Sequence, residues 1–188
     1  MKMSKILIIS GSPRQSSVSI RIANFLTKEL EKDPLLEIER IDLRQDFLPP
    51  IQKVWSAKDQ ASDAGKILFS KLERADGILL VSPEYNGSYS SSMKNLLDHF
   101  PRPLYENKVF GIATGSTGAM GGMRAAQQLI SLVVALFGIL SPRLLVTPHM
   151  DKKFNAESEL IDESFSKNTA VFLKEFLWLL RKIDSGKE

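Results

Sequence analysis

The sequence predicts an α/β fold of three layers, in which a five-stranded parallel sheet of strand order 2-1-3-4-5 lies between helices on both faces. Three observations carry that expectation. Short apolar runs alternate five times with longer amphipathic segments, the pattern of crossover connections in a parallel sheet. Residues 5–10, 76–82 and 108–114 are apolar without alternation, as strands buried on both faces are, whereas residues 36–43 alternate apolar and charged and belong at an edge. No repeat, low-complexity stretch or composition break interrupts the 188 residues, so one domain over 1–188 is expected.

Taken in order, residues 5–10 (KILIIS) form the first buried strand and end at Gly-Ser-Pro. From about 17 to 31, Ile20, Ala23, Phe25, Leu26 and Leu30 recur at helical spacing. The edge strand 36–43 (LEIERIDL) leads into a loop, 44–56, that Pro49 and Pro50 keep out of helix and whose Trp55 is expected to cover apolar surface. Residues 59–74 read as a helix, 76–82 (DGILLVS) as a central strand, and 93–100 as a helix that a Ser90 hydroxyl can cap. Within that helix Lys94 and Asp98 stand at ion-pair spacing. A fourth strand, 108–114 (KVFGIAT), runs into GSTGAMGG and a helix over 123–137. The last strand is expected over 140–148 and the last helix over 157–182, with Phe172, Leu173, Phe176, Leu177, Leu179 and Leu180 as core packing.

Composition removes several function classes. The absence of cysteine excludes disulfides, thiolate nucleophiles and cysteine-ligated clusters, so redox chemistry would need a bound cofactor. Lys and Arg number 25 against 22 Asp and Glu, a net charge of +3 spread along the chain rather than gathered in a basic run, which argues against nucleic acid but allows an anionic ligand. His99 and His149 are the only histidines and no carboxylates flank them at ligand spacing, so no metal site is expected and both are placed at the surface or an interface. The apolar run ILII is too short for a secretory signal and no stretch approaches a transmembrane span; a cytoplasmic protein without membrane contact is expected.

In a sheet of this order ligands bind beyond the carboxyl ends of the strands, which directs attention to the loops after the first, third and fourth strands. The first, residues 11–19 (GSPRQSSVS), offers hydroxyls, a guanidinium and backbone N–H groups at a helix N-terminus, suited to a dianionic phosphate. It is neither a Walker A sequence nor the three-glycine dinucleotide pattern, which argues against ATP and NAD in their usual modes. The alternative is that Ser16, Ser17 or Ser19 caps the helix while Arg14 is a solvated charge. The second, residues 82–89 (SPEYNGSY), has an Asn-Gly pair that favours positive φ, with Tyr85 and Tyr89 as flat faces for a planar ligand; an ordinary tight turn explains it as well. The third, residues 114–122 (TGSTGAMGG), has four glycines that permit close approach of backbone to ligand or simple flexibility. Each loop is ambiguous alone; the same topology puts all three at one edge of the sheet.

GSPRQSS after the first strand, SPEYNGS followed by MKNLLDHF, and STGAMGG together resemble the NADPH-dependent FMN reductase family, the flavodoxin-like group that includes NAD(P)H quinone, chromate and azo reductases, over about residues 5–148. The resemblance implies that Ser12, Arg14, Ser17 and Ser19 hold the FMN phosphate, that Pro83, Glu84, Tyr85, Asn86 and Gly87 line the isoalloxazine ring, and that Ser116, Thr117 and Gly118 close its other edge. Ser19 stands where the family usually has asparagine, and Ser90, Ser91 and Ser92 stand where it commonly has proline and small residues. The implied chemistry is ping-pong hydride transfer from NAD(P)H through FMN to a small-molecule acceptor, with no catalytic side chain, in a homodimer or homotetramer whose interface includes the helix after the second loop. Two other classes compete. A flavodoxin-type electron carrier tends to be strongly acidic, which the +3 charge opposes. A cofactor-poor binding module on the same fold is motivated by the departures at Ser19 and Ser90 to Ser92.

Overall fold

A computed structural model of the chain describes residues 3–155, 157 and 159–184. Six strands, β1 (Ser4–Ser10), β2 (Leu36–Asp42), β3 (Gly77–Pro83), β4 (Val109–Gly115), β5 (Ile139–Leu140) and β6 (Leu145–Thr147), form one sheet, and all their pairings are parallel. The path is β2-β1-β3-β4-β5, with β6 also on β4. Five helices connect and cover it: α1 (Ile20–Leu30), α2 (Asp63–Arg74), α3 (Ser91–Asp98), α4 (Met123–Ala135) and α5 (Glu163–Asp184).

The period of two along each strand decides which layer a side chain joins. Ile8, Leu79, Val81 and Ala113 pack with Ile22 and Leu26 of α1 and Phe172 and Phe176 of α5. Leu7, Ile9, Leu80 and Ile112 pack on the opposite face with Leu68 of α2, Leu96 of α3 and Leu129 of α4. Each fully buried Leu, Ile, Val or Phe among them contributes about 1.5–3 kcal/mol by leaving water. β3 and β4 are buried along their whole length, while β2 is half-buried at the sheet edge, as its alternation requires. α5 sits close to the sheet because Gly111 carries no side chain: a Cβ there would meet Leu79 Cδ2 at 2.5 Å and Phe172 Cζ at 3.1 Å.

The structure corrects the sequence reading in several places. The fifth strand is broken in two, because Pro142 has no N–H to donate and the backbone leaves the ladder between Leu140 and Leu145. α5 starts at Glu163 rather than near 157. The Asp162 carboxylate accepts the Ser164 N–H at 2.8 Å as a cap, and the chain before it folds back through a bridge between Phe154 and Leu160. Ser158 of that expected stretch lies outside the described residues. α2 begins at Asp63, where the Ser62 hydroxyl accepts the Gly65 N–H at 3.1 Å; residues Lys58–Gln60 form a separate 3-10 turn. His99 is not a surface residue but 3% exposed, its Nδ1 2.7 Å from the Asn95 carbonyl and its ring 4.6 Å from that of Trp55. Trp55 covers apolar surface, lying against His99, Phe100 and the side-chain-free Gly65. Among the described residues no helix is long and apolar enough to cross a membrane.

Candidate functional site

β1, β3 and β4 end side by side, with Ser10 opposite Val81 and Pro83 opposite Gly115, so the loops leaving them face one another. A cleft of about 350 Å³ lies between these loops, a size typical of small-molecule sites. Its wall includes Ser12, Arg14, Ser16, Ser17, Val18 and Ser19 from the first loop, Pro83, Glu84, Tyr85 and Asn86 from the second, and Gly115, Ser116 and Thr117 from the third, with Met150.

The first loop leaves β1 under constraint. Gly11 N–H donates to the Val81 carbonyl at 2.8 Å, and a Cβ on Gly11 would fall 2.4 Å from Met93 Cε. The Ser17 N–H closes a turn on the Arg14 carbonyl at 3.0 Å, and the chain then enters α1 at Ser19. Ser19 occupies the cap position without capping: its hydroxyl makes no bond to the helix amides and instead lies 3.1 Å from the Ser17 hydroxyl. In such a pair one O–H donates to the other oxygen, and the second O–H remains available. Two serine hydroxyls at the positive end of an 11-residue helix therefore present a donor set to an anion.

The second loop is a two-residue turn. Tyr85 and Ser88 exchange backbone hydrogen bonds at 2.8 and 3.1 Å, with Asn86 at φ 50° and Gly87 at φ 79°. Positive φ at both central positions is the type I′ requirement, which Asn-Gly meets at low cost. α4 clamps this turn from the side. The Glu84 carboxylate accepts the N–H groups of Arg124 at 3.1 Å and Ala125 at 3.3 Å, supplying the cap that Gly122 cannot. Gln128 Nε2 donates to the Gly87 carbonyl at 3.2 Å, and the Ser88 hydroxyl donates to Gln128 Oε1 at 2.6 Å.

The first and second loops meet at two points. The Ser12 and Tyr85 hydroxyls are 2.9 Å apart, and the Arg14 guanidinium lies 4.2 Å above the Tyr85 ring. Beneath them Ser90, fully buried, accepts the Met93 N–H at 3.1 Å as the cap of α3 and donates to the Gly11 carbonyl. Its own N–H donates to the Ser82 hydroxyl at 3.3 Å, so Ser90, the first of the three serines, supplies a junction between the loops.

The third loop is held by the segment after β6. Met150 N–H donates to the Ser116 carbonyl at 3.0 Å and His149 N–H to the Gly118 carbonyl at 3.3 Å. The Gly118 N–H in turn donates to the Ser116 hydroxyl at 3.0 Å, and Thr114 Oγ1 donates to the Gly121 carbonyl at 3.2 Å.

Ten of the twelve residues singled out in the sequence thus share one wall: Ser12, Arg14, Ser17, Ser19, Pro83, Glu84, Tyr85, Asn86, Ser116 and Thr117. Gly87 and Gly118 shape the turns without lining the cleft. Tyr89 does not line the cleft; it packs partly buried against the core on the helix α2, α3 and α4 side, and that burial raises its pKa above the ordinary tyrosine value. Ser16, Val18, Gly115 and Met150 were not singled out. The first three adjoin selected residues, whereas Met150 reaches the wall only through tertiary pairing with Ser116. Among the described residues no group of three or more His, Cys, Asp or Glu is placed to hold a metal ion.

Comparison with known proteins gives a consistent picture. The sequence profile described as NADPH-dependent FMN reductase matches residues 4–151. The chain is 28% identical over 177 residues to the FMN-dependent NADPH-azoreductase of Staphylococcus aureus, covering 92% of this chain and 93% of that protein. Among solved structures, FerB, a flavoenzyme NAD(P)H:(acceptor) oxidoreductase from Paracoccus denitrificans, has TM-score 0.78 at 22% identity, covering 95% of this chain and 98% of that one. An FMN-dependent NADH-azoreductase from Bacillus anthracis, solved with FMN, has TM-score 0.57 at 16% identity, covering 97% and 99%. At these identities the two structures establish likeness of fold.

Proposed function

The chain belongs to the NADPH-dependent FMN reductase family, and from that premise we propose that its three-loop cleft holds FMN and that the protein uses NAD(P)H to reduce azo, quinone or chromate-type acceptors in a ping-pong cycle. The observation that carries the reading is the Ser17 and Ser19 hydroxyl pair at the N-terminus of α1, in the same cleft as the Tyr85 turn. The first loop offers donors for a phosphate, and the second and third loops line the rest of the cleft.

The residues present fit that group. Ser12, Arg14, Ser17 and Ser19 bind the phosphate, with the α1 dipole adding favourable potential. Pro83, Glu84, Tyr85 and Asn86 would line the ring on one side and Ser116 and Thr117 the other, with Gly87 and Gly118 shaping the turns that carry them. FMN held there would supply hydride-transfer chemistry between a nicotinamide and the acceptor. The protein positions and tunes, and no side chain is assigned as acid or base. Glu84 is committed to the first turn of α4, which fixes the turn that faces the ring.

The functional unit is proposed to be a homodimer or homotetramer. An apolar groove of about 480 Å³ between α3 and the loop after β2 is lined by Phe47, Leu48, Pro50 and Ile51 of that loop, and Phe47 is 64% exposed, the kind of surface that a second copy covers.

The test is to load purified protein with FMN and assay NADPH and NADH against an azo dye, a quinone and chromate. Retained flavin with acceptor-dependent nucleotide oxidation supports the reading. No flavin retention rejects it, and flavin that is reduced only by an added reductase identifies a carrier instead.

A further inference from the structure

Arg124 stands out from the other arginines near the cleft. Arg44 is paired with Asp42 and Arg21 donates to the Phe154 carbonyl, while Arg14 lies on Tyr85. Arg124 is exposed, and its guanidinium has no partner among the described residues. Its position is nevertheless well defined. The Arg124 N–H is held by Glu84, and the side-chain stem lies over the Tyr85 to Ser88 turn, with Cδ 3.5 Å from where a Cβ of Gly87 would stand. At that distance the stem is in ordinary van der Waals reach of the turn, which places the guanidinium at its outer rim.

The rim matters for a second ligand. In the reading proposed above, on which this inference rests, the serine end of the cleft is taken by the phosphate of FMN, so a dinucleotide donor whose nicotinamide faces the ring must lead its own phosphates out across another edge. The Asn86 and Gly87 turn is the edge that carries an unpaired cation. Among the described residues lining the cleft Glu84 is the one acid, and its carboxylate is already held by two α4 amides. We propose that Arg124 binds a phosphate of the pyridine dinucleotide, either the 2′-phosphate of NADPH or the pyrophosphate that NADPH and NADH share. A guanidinium suits this task because its fork of donors matches phosphate oxygens two at a time.

The experiment compares wild type, Arg124→Gln and Arg124→Lys, each titrated with FMN first. Two further quantities are then measured: the KM values for NADPH and NADH, and the Kd of adenosine 2′,5′-bisphosphate, a redox-inert probe, by calorimetry. Arg124→Gln is expected to raise the KM for NADPH by about tenfold or more, the equivalent of one lost charge-assisted contact. Arg124→Lys recovers part of the loss, and FMN affinity stays at the wild-type value. A weakened bisphosphate with a larger effect on NADPH than on NADH identifies the 2′-phosphate; equal effects on the two nucleotides identify the pyrophosphate. Unchanged KM values and unchanged bisphosphate affinity in an FMN-retaining Arg124→Gln protein overturn the inference and leave the proposed function standing. A wild type that retains no FMN removes both.

Discussion

The hydroxyls of Ser12 and Tyr85, 73 residues apart in the chain, lie 2.9 Å from each other and join the loop after β1 to the loop after β3. Arg14 completes the contact from above, 4.2 Å from the center of the Tyr85 ring. Two loops that would each be ordinary turns alone become one wall through this contact, and the first prediction concerns it.

Tyr85→Phe removes the hydroxyl but keeps the ring under Arg14. The loops lose one hydrogen bond, worth about 1 kcal/mol, so the Kd for FMN should rise about fivefold. Flavin fluorescence titration measures it. An affinity equal to that of the wild type would mean that the contact does not shape the site.

Ser90→Ala strips the cap from α3 and leaves the buried Gly11 carbonyl without the hydroxyl that donates to it. The loss should be about 2 kcal/mol of stability. Urea denaturation followed by circular dichroism reads this directly, and a loss below a few tenths would contradict the role given to the serine.

Gly121→Ala places a methyl group 2.6 Å from the Pro148 backbone nitrogen, at a φ of 60° that alanine resists. Both effects are destabilising, together by about 2 kcal/mol or more. The third loop should loosen with it, so a lower melting temperature is expected alongside weaker flavin binding. An unchanged melting temperature would contradict the packing described.

Asp42 gives a pH dependence. Burial pushes its carboxyl upward, but the hydrogen bonds from the Arg44 side chain and backbone and the charges of Arg44 and Arg40 outweigh it, and the pKa ends below the ordinary carboxylate value. A folded pKa below the unfolded value of about 4 means that the ion pair stabilises fully above that pH and loses its effect as pH falls through the folded value. Asp42→Asn should therefore cost about 1 kcal/mol at pH 7 and progressively less below pH 4. Equal costs at pH 7 and pH 3 would contradict the assignment.

Much of this architecture can be read from the chain, and for physical reasons. KILIIS, DGILLVS and KVFGIAT announce buried strands because apolar side chains fill both faces along their middles, and LEIERID announces an edge because one face meets water. Ser90 caps α3 as its position suggested. What stayed hidden depends on contacts distant in sequence. Ser19 looks like a cap but turns to Ser17, His99 looks like a surface residue but is enclosed by Trp55, and Met150 joins the cleft through a bond to Ser116. Local competition misled the reading of α5, where Asp162 rather than an earlier residue sets the start. The Glu84 cap on α4, a bond from the second loop to a helix 40 residues on, has no local signature at all.

The central claim is that the serine and arginine loop cradles a phosphate while the Tyr85 turn holds the ring attached to it. Titration of FMN against riboflavin, which lacks the phosphate, tests it most directly, in the wild type and in a Ser17→Ala, Ser19→Ala double variant whose fold is checked by circular dichroism. The account predicts that the wild type binds FMN about a hundredfold more tightly than riboflavin and that the double variant narrows the difference by about tenfold. Equal affinity of the wild type for the two flavins, or no affinity for either, would contradict it.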